Sequence, residues 1–121
     1  MGNLILVVDD QAFIRHILGA DLKKEGFEVD FAENGQQALL KLKNIKPSLI
    51  LLDVMMPVMD GYETCKRIKT DPATKSIPVV FLTANAQKSA VVKAVQVGAD
   101  DYAVKSPDSS ALISKIRKFV A

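Results

Sequence analysis

Cysteine is nearly missing from this chain. Cys65 is the only one in 121 residues, so no internal disulfide can form and stability must come from a packed core, as suits a reducing compartment. A dominant charge is missing too: 16 Lys and Arg stand against 14 Asp and Glu, a formal +2 that does not by itself mark a nucleic-acid partner. No apolar run approaches the ~20 residues of a membrane span. A charged leader is absent, since Leu4 already opens a strand pattern, and Leu6 stands where myristoylation after Met1-Gly2 wants Ser or Thr. Nor is there a linker, repeat or low-complexity stretch. The expectation is one soluble, unanchored, cytoplasmic domain spanning residues 1–121, whose 49% apolar content suffices for a single core.

What is present is a regular alternation of two periods. Leu4–Val8, Val29–Ala32, Leu49–Leu52, Val79–Leu82 and Tyr102–Val104 are short apolar segments of strand length. Between them lie helical stripes: Ile14, Ile17, Leu18 and Leu22; Ala38, Leu39 and Leu42; Tyr62, Cys65 and Ile68; Val91, Ala94 and Val95; Leu112, Ile113, Ile116 and Phe119. Gly26 and Gly98 sit where helices should stop, Pro47 follows the second helix, and Asp60 can N-cap the third. Asp71-Pro72 and Pro78 bracket the loop before the fourth strand. Strands alternating with helices predict a parallel sheet covered on both faces, because crossovers are right-handed. The fold class is therefore α/β, a (βα)5 domain.

In such sheets ligands bind at the carboxyl ends of the strands. The five segments place Asp9, Asp10, Asp53, Thr83 and Lys105 there. Three acids on one edge would repel one another unless a divalent cation neutralised them, and Mg²⁺, a hard cation, suits carboxylates. Asp53 beside that cation stays ionised and can attack phosphorus. Mg²⁺ and the Lys105 ammonium would neutralise the transferring oxygens, while the Thr83 hydroxyl can donate to the attached group. The plainer reading, acids as helix caps, serves Asp60 well but does not explain an acid closing a buried third strand.

With these residues in place, the chain resembles the receiver domains of two-component response regulators over essentially its whole length. The resemblance is carried by Val7-Val8-Asp9-Asp10, by Asp53 through Pro57 to Met59-Asp60-Gly61, by Leu82-Thr83-Ala84, and by Gly98-Ala99-Asp100-Asp101-Tyr102 leading to Lys105. It implies a flavodoxin-like sheet in order 2-1-3-4-5. It makes Asp53 the phosphorylated aspartate, Asp10 a direct Mg²⁺ ligand, Asp9 a ligand mainly through water, and the Met55 carbonyl a further ligand. Thr83 and Tyr102 match the switch pair, and Lys105 the lysine that pairs with phosphate. One departure stands out: Ser106 follows Lys105 where the family usually has proline, and Pro107 comes one later. A cis bond there would cost ~3 kcal/mol.

The resemblance implies a phospho-accepting signalling switch: Asp53 takes the group from a sensor histidine kinase or phosphotransfer protein, and the altered surface binds a downstream protein target. No direct nucleic-acid or membrane contact is expected, and no output domain follows Ala121, although the chain can also be a receiver cut from a longer regulator. An Mg²⁺-dependent phosphohydrolase would need a cap segment to hold its substrate, and a flavin carrier would need a hydroxyl-rich loop where Asp9-Asp10 stand. Elsewhere the bland readings are preferred. His16 is a solvated helix residue, Cys65 a core residue, and Met55, Met56 and Met59 loop and packing groups. Asp100 and Asp101 belong to the opposite edge as solvated acids, and Lys88, Lys93, Lys115 and Lys118 to solvated faces. Met55 and Asn85 flank the path of a hydrolytic water, and a shielding thioether predicts a long-lived phosphorylated state.

Overall fold

The backbone hydrogen bonds of this computed structural model, which describes residues 3–83, 88–105 and 109–120, turn the alternation into ten elements. They run β1 (Leu4–Val8), α1 (Ala12–Lys24), β2 (Glu28–Ala32), α2 (Gly35–Lys41), β3 (Leu49–Asp53), α3 (Gly61–Thr70), β4 (Val79–Thr83), α4 (Lys88–Gln96), β5 (Asp101–Val104) and α5 (Ser110–Phe119). All strand pairs are parallel and the sheet order is β2-β1-β3-β4-β5. Order and fold class agree with the expectation from sequence.

Two cores explain why the strands read as unbroken apolar runs. Ile5, Val7, Leu49, Leu51, Val80 and Leu82 point to one face, against Leu18 and Leu22 of α1 and Leu112 and Ile116 of α5. Leu6, Val8, Ile50, Leu52, Val79 and Phe81 point to the other, against Ala38, Cys65, Ile68 and Ala94. Side chains alternate along a strand, so a sheet covered on both faces needs apolar residues at both parities.

The helix boundaries follow the punctuation. Asn34 caps α2 by accepting from the Gln37 N–H, and Asp60 caps α3 by accepting from the Glu63 N–H at 2.9 Å. Gly26 and Gly98 follow α1 and α4 with φ of 92° and 86°, the left-handed conformation that ends a helix. Two stripe residues differ from expectation. Val95 is 70% exposed and Ile17 lies at the α1 surface, because each stripe held more apolar residues than its helix has buried positions. Ala94 is the buried anchor of α4, with Val97 beside it. Among the described residues, no helix is long and apolar enough to cross a membrane.

Candidate functional site at the carboxyl edge of the sheet

Register brings the strand-end residues together. Val8 pairs with Leu52, so Asp9 lies level with Asp53; Asp53 pairs with Leu82 and Thr83 with Val104. Asp9 is fully buried. Its N–H donates to the Ala32 carbonyl at 3.1 Å, its Oδ1 accepts from the Gln11 N–H at 2.9 Å, and its carbonyl accepts from Arg15 Nη1 at 2.7 Å. Gln11, not either aspartate, is the N-cap position of α1. Asp53 is 5% exposed, whereas Asp10 faces solvent. Each of the three acids brings an oxygen within 4.8 Å of the others.

Lys105 closes the group. Its N–H donates to the Thr83 carbonyl at 2.7 Å, extending the ladder beyond β5. Its ammonium lies 3.0 Å from Asp9 Oδ2 and 3.1 Å from Asp53 Oδ1. The contact with Asp9 is an ion pair without hydrogen-bond alignment, so Oδ2 stays buried with no directed donor. Burial, reinforced by the Asp9 charge, pushes the Asp53 carboxyl up to about 6, against the opposing pull of Lys105 and the Met55 N–H. Burial also works against the Lys105 charge, but the two carboxylates outweigh it and hold its pKa above the usual lysine value. Three carboxylates facing one ammonium leave two negative charges uncompensated. A buried oxygen lacking a donor, among hard oxygen ligands, fits a divalent cation.

The loop after β3 shapes one wall. Gly61 N–H donates to the Val54 carbonyl at 2.9 Å, and a Cβ on Gly61 would collide with the Asp53 carbonyl, so only glycine lets α3 start this close to Asp53. Between them Met59 N–H donates to the Pro57 carbonyl at 2.8 Å, a three-residue turn that forces Val58 to φ 73°. Met55 is 78% exposed. On the far side of β4, Thr83, Tyr102, Val54, Phe81, Val91 and Ala94 line a cavity of about 10 Å³, room for one water.

Sequence reasoning missed Arg15, and it placed Gly61 in a motif without its reason, because both roles lie in contacts to backbone that a motif does not advertise. Asp100 and Asp101 occupy the opposite edge as expected, but they are not simply solvated. Asp100 accepts from Lys69 Nζ at 2.7 Å and from the Val79 N–H at 2.8 Å, and Asp101 lies 3.2 Å from Lys115 Nζ. Lys93 is exposed as expected, with its ammonium 5.3 Å from the centroid of the Tyr62 ring. His16 is exposed on α1 and takes no part in the site. Cys65 is buried, which pushes its thiol up to about 11 and leaves it inert. Ala84, Asn85, Ser106 and Pro107 lie outside the described residues, and with them the geometry of the Lys105–Ser106 bond.

The comparisons with known proteins agree on one family. The family model of the response regulator receiver domain matches residues 5–117. The phosphate regulon transcriptional regulatory protein PhoB of Pseudomonas aeruginosa is 39% identical over 117 residues, 97% of this chain and 51% of that protein. The chain thus spans about half the length of the first curated relatives it matches. Among solved structures, chemotaxis protein CheY4 of Vibrio cholerae is 29% identical with a TM-score of 0.93, covering 99% of this chain and 100% of that one. Response regulator TrrA of Thermotoga maritima, solved in complex with Mg²⁺-BeF, is 36% identical with a TM-score of 0.88 over the same shares. The chain belongs to the response regulator receiver domain family.

Proposed function

We propose that the whole chain, residues 1–121, works as a phospho-accepting switch in which Asp53 receives a phosphoryl group from a phosphohistidine on a sensor kinase or phosphotransfer protein. The observation that carries this reading is the position of Asp53: a nearly buried carboxylate closing β3, flanked by two further acids and 3.1 Å from one ammonium. Asp9, Asp10, Asp53 and the Met55 carbonyl are the groups that would hold Mg²⁺, which supplies charge neutralisation for the phosphoryl oxygens.

The side chains divide the remaining work. An Asp53 carboxylate oxygen attacks phosphorus, forming the P–O bond as the N–P bond to the donor imidazole breaks. Lys105 already points at Asp53, and its ammonium is long enough to turn from carboxylate to a phosphoryl oxygen. Thr83, level with the end of β5, donates its hydroxyl to another phosphoryl oxygen, and Tyr102, which shares a cavity wall with Thr83, follows it inward. The altered surface then binds a downstream protein. Signalling rather than turnover is the role of this family, and a cytoplasmic site with no direct nucleic-acid or membrane contact is the corresponding setting.

A second reading has one observation behind it: PhoB is about twice as long as the segment matched here. In that case the chain is the receiver portion of a longer regulator, with the same chemistry at Asp53. The test of the shared reading is labelling with a small phosphodonor and Mg²⁺, followed by borohydride reduction and mass mapping. Label should sit on Asp53 alone and vanish in EDTA; label that persists in Asp53→Asn refutes the assignment.

A further inference from the structure

β5 is the edge strand of the sheet, with β4 its single neighbour. Tyr102 sits in its middle and packs toward the core formed with α3 and α4. Helix α5 lies on the other face, where Leu112 and Ile116 meet Ala103. One α5 side chain nevertheless reaches round the edge. Lys115 Nζ donates to the Tyr102 carbonyl at 2.6 Å, lies 3.2 Å from Asp101 Oδ1, and sits 4.7 Å from the centroid of the Tyr102 ring. Three contacts from one ammonium fix its place, and a cation over an aromatic face attracts the ring in turn.

The position of that ring matters because of what lies beneath it. Tyr102 and Thr83 border the same cavity, which has room for one water but not for a phenol ring. If Thr83 moves toward a phosphoryl group on Asp53, that space grows and the ring can enter it, leaving the ammonium behind. Lys115 would stay, because its bonds to Asp101 and to the Tyr102 carbonyl do not depend on the ring.

We propose that Lys115 is a positioning residue of the switch: its ammonium holds the Tyr102 ring where it stands, on the wall of the cavity it shares with Thr83, and so opposes activation until Asp53 is occupied. The proposal rests on the switch reading of Thr83 and Tyr102. Lys115 touches neither Asp53 nor the metal-binding acids through any of these contacts, so its influence is on the equilibrium between two ring positions. A variant without the cation should populate the inward ring more often and bind a phosphoryl mimic more tightly.

The chain has no tryptophan and two tyrosines, so Tyr62→Phe leaves Tyr102 as a single reporter. In that background, beryllofluoride is titrated at saturating Mg²⁺, with calorimetry giving affinity and the Tyr102 ring resonances giving position. Lys115→Met should bind about three-fold more tightly than its parent, with its unliganded ring resonances displaced toward the bound values. Lys115→Arg, which keeps a cation, should match the parent. Parental affinity in Lys115→Met, or equal tightening in both variants, overturns the role of the cation. Calorimetric binding in the parent with stationary Tyr102 resonances instead overturns the switch reading, and the proposal falls with it. A parent that does not bind beryllofluoride at all counts against Asp53 as acceptor.

Discussion

The two edges of the sheet use the same residue type to opposite ends. At the amino edge Asp100 is well partnered: Lys69 Nζ and the Val79 N–H both reach its Oδ2, while Lys69 also donates to the Ile77 carbonyl at 2.7 Å. At the carboxyl edge Asp9 keeps a buried oxygen with no directed donor, and the Asp53 carboxyl is pushed up to about 6. The first arrangement ties α3, β4 and β5 together. The second is poorly compensated by the protein itself and gains from any ligand that brings positive charge. Local consistency marks the part of the molecule that holds the fold, and its failure marks the part that does chemistry.

The largest effect should come from breaking the satisfied edge. Lys69→Met removes a mostly buried cation, leaves Asp100 with the Val79 N–H but no counter-charge from Lys69, and takes a donor from the Ile77 and Lys75 carbonyls. Removing one partner of a partly buried pair is expected to cost about 2–3 kcal/mol, read as a lower urea midpoint at unchanged slope. Adding Asp100→Asn should recover part of that loss. If Lys69→Met unfolds at the wild-type urea concentration, the amino edge is not the anchor described.

The opposite sign is expected at the other edge. The Asp53 carboxyl titrates at 3.8 when free of its environment and at about 6 in the folded protein, raised first by burial and then by Asp9. The folded state therefore binds this proton more tightly than the unfolded state. In EDTA, this group adds stability as pH falls from about 6 to 4, and that contribution is lost as pH rises through the same window. After a discount for solvent in the cleft, Asp53→Asn should be more stable than wild type by about 1–2 kcal/mol at neutral pH. The gap should close in acid and narrow when Mg²⁺ is added. A destabilised Asp53→Asn would mean that Lys105 compensates the acids fully.

Much of this contrast was legible in the sequence at one edge and little at the other. Asp9, Asp53, Thr83 and Lys105 could be found because each terminates an apolar run, and the strand ends of a parallel sheet converge. Their partners at the amino edge could not. Lys69 meets Asp100 across 31 residues, and nothing in either segment's periodicity announces it. Strand boundaries slipped for a related reason. Glu28 pairs with Leu4 and Asp101 with Val80 through the backbone, so β2 and β5 begin one residue before their apolar pattern does. The order of strands came from family resemblance, since spacing alone does not set it.

Strain in the β3–α3 loop offers a smaller test. Val58, β-branched and exposed, is held at φ 73° by the Met59 to Pro57 hydrogen bond. Such a conformation costs a bulky residue about 1–3 kcal/mol, and glycine relieves it while losing about 0.5–1 kcal/mol to chain entropy. Val58→Gly should therefore raise stability by about 0.5–1 kcal/mol and shift Tm upward by a few degrees. No comparable non-glycine conformation exists at the amino edge among the described residues. A lower Tm would show that the loop draws more from the Val58 side chain than its exposure suggests.

The smallest effect concerns the lifetime of the acyl phosphate. A thioether two residues after the acceptor could shield phosphorus from water, because sulfur is a poor acceptor and would not hold a nucleophilic water in line. In the structure, however, Met55 is mostly exposed, so water surrounds much of it. Shielding by Met55 is therefore partial. An amide at this position could orient a water through one hydrogen bond, and one net bond at the weak end of its range changes a rate about three-fold. Met55→Asn should accelerate loss of phosphate from Asp53 by that factor, measured by following the acyl phosphate after the donor is removed. Lys105 and the acids are untouched by the substitution, so the amount of label at the start should stay the same. Hydrolysis at the wild-type rate would mean that water reaches phosphorus by a path Met55 does not border.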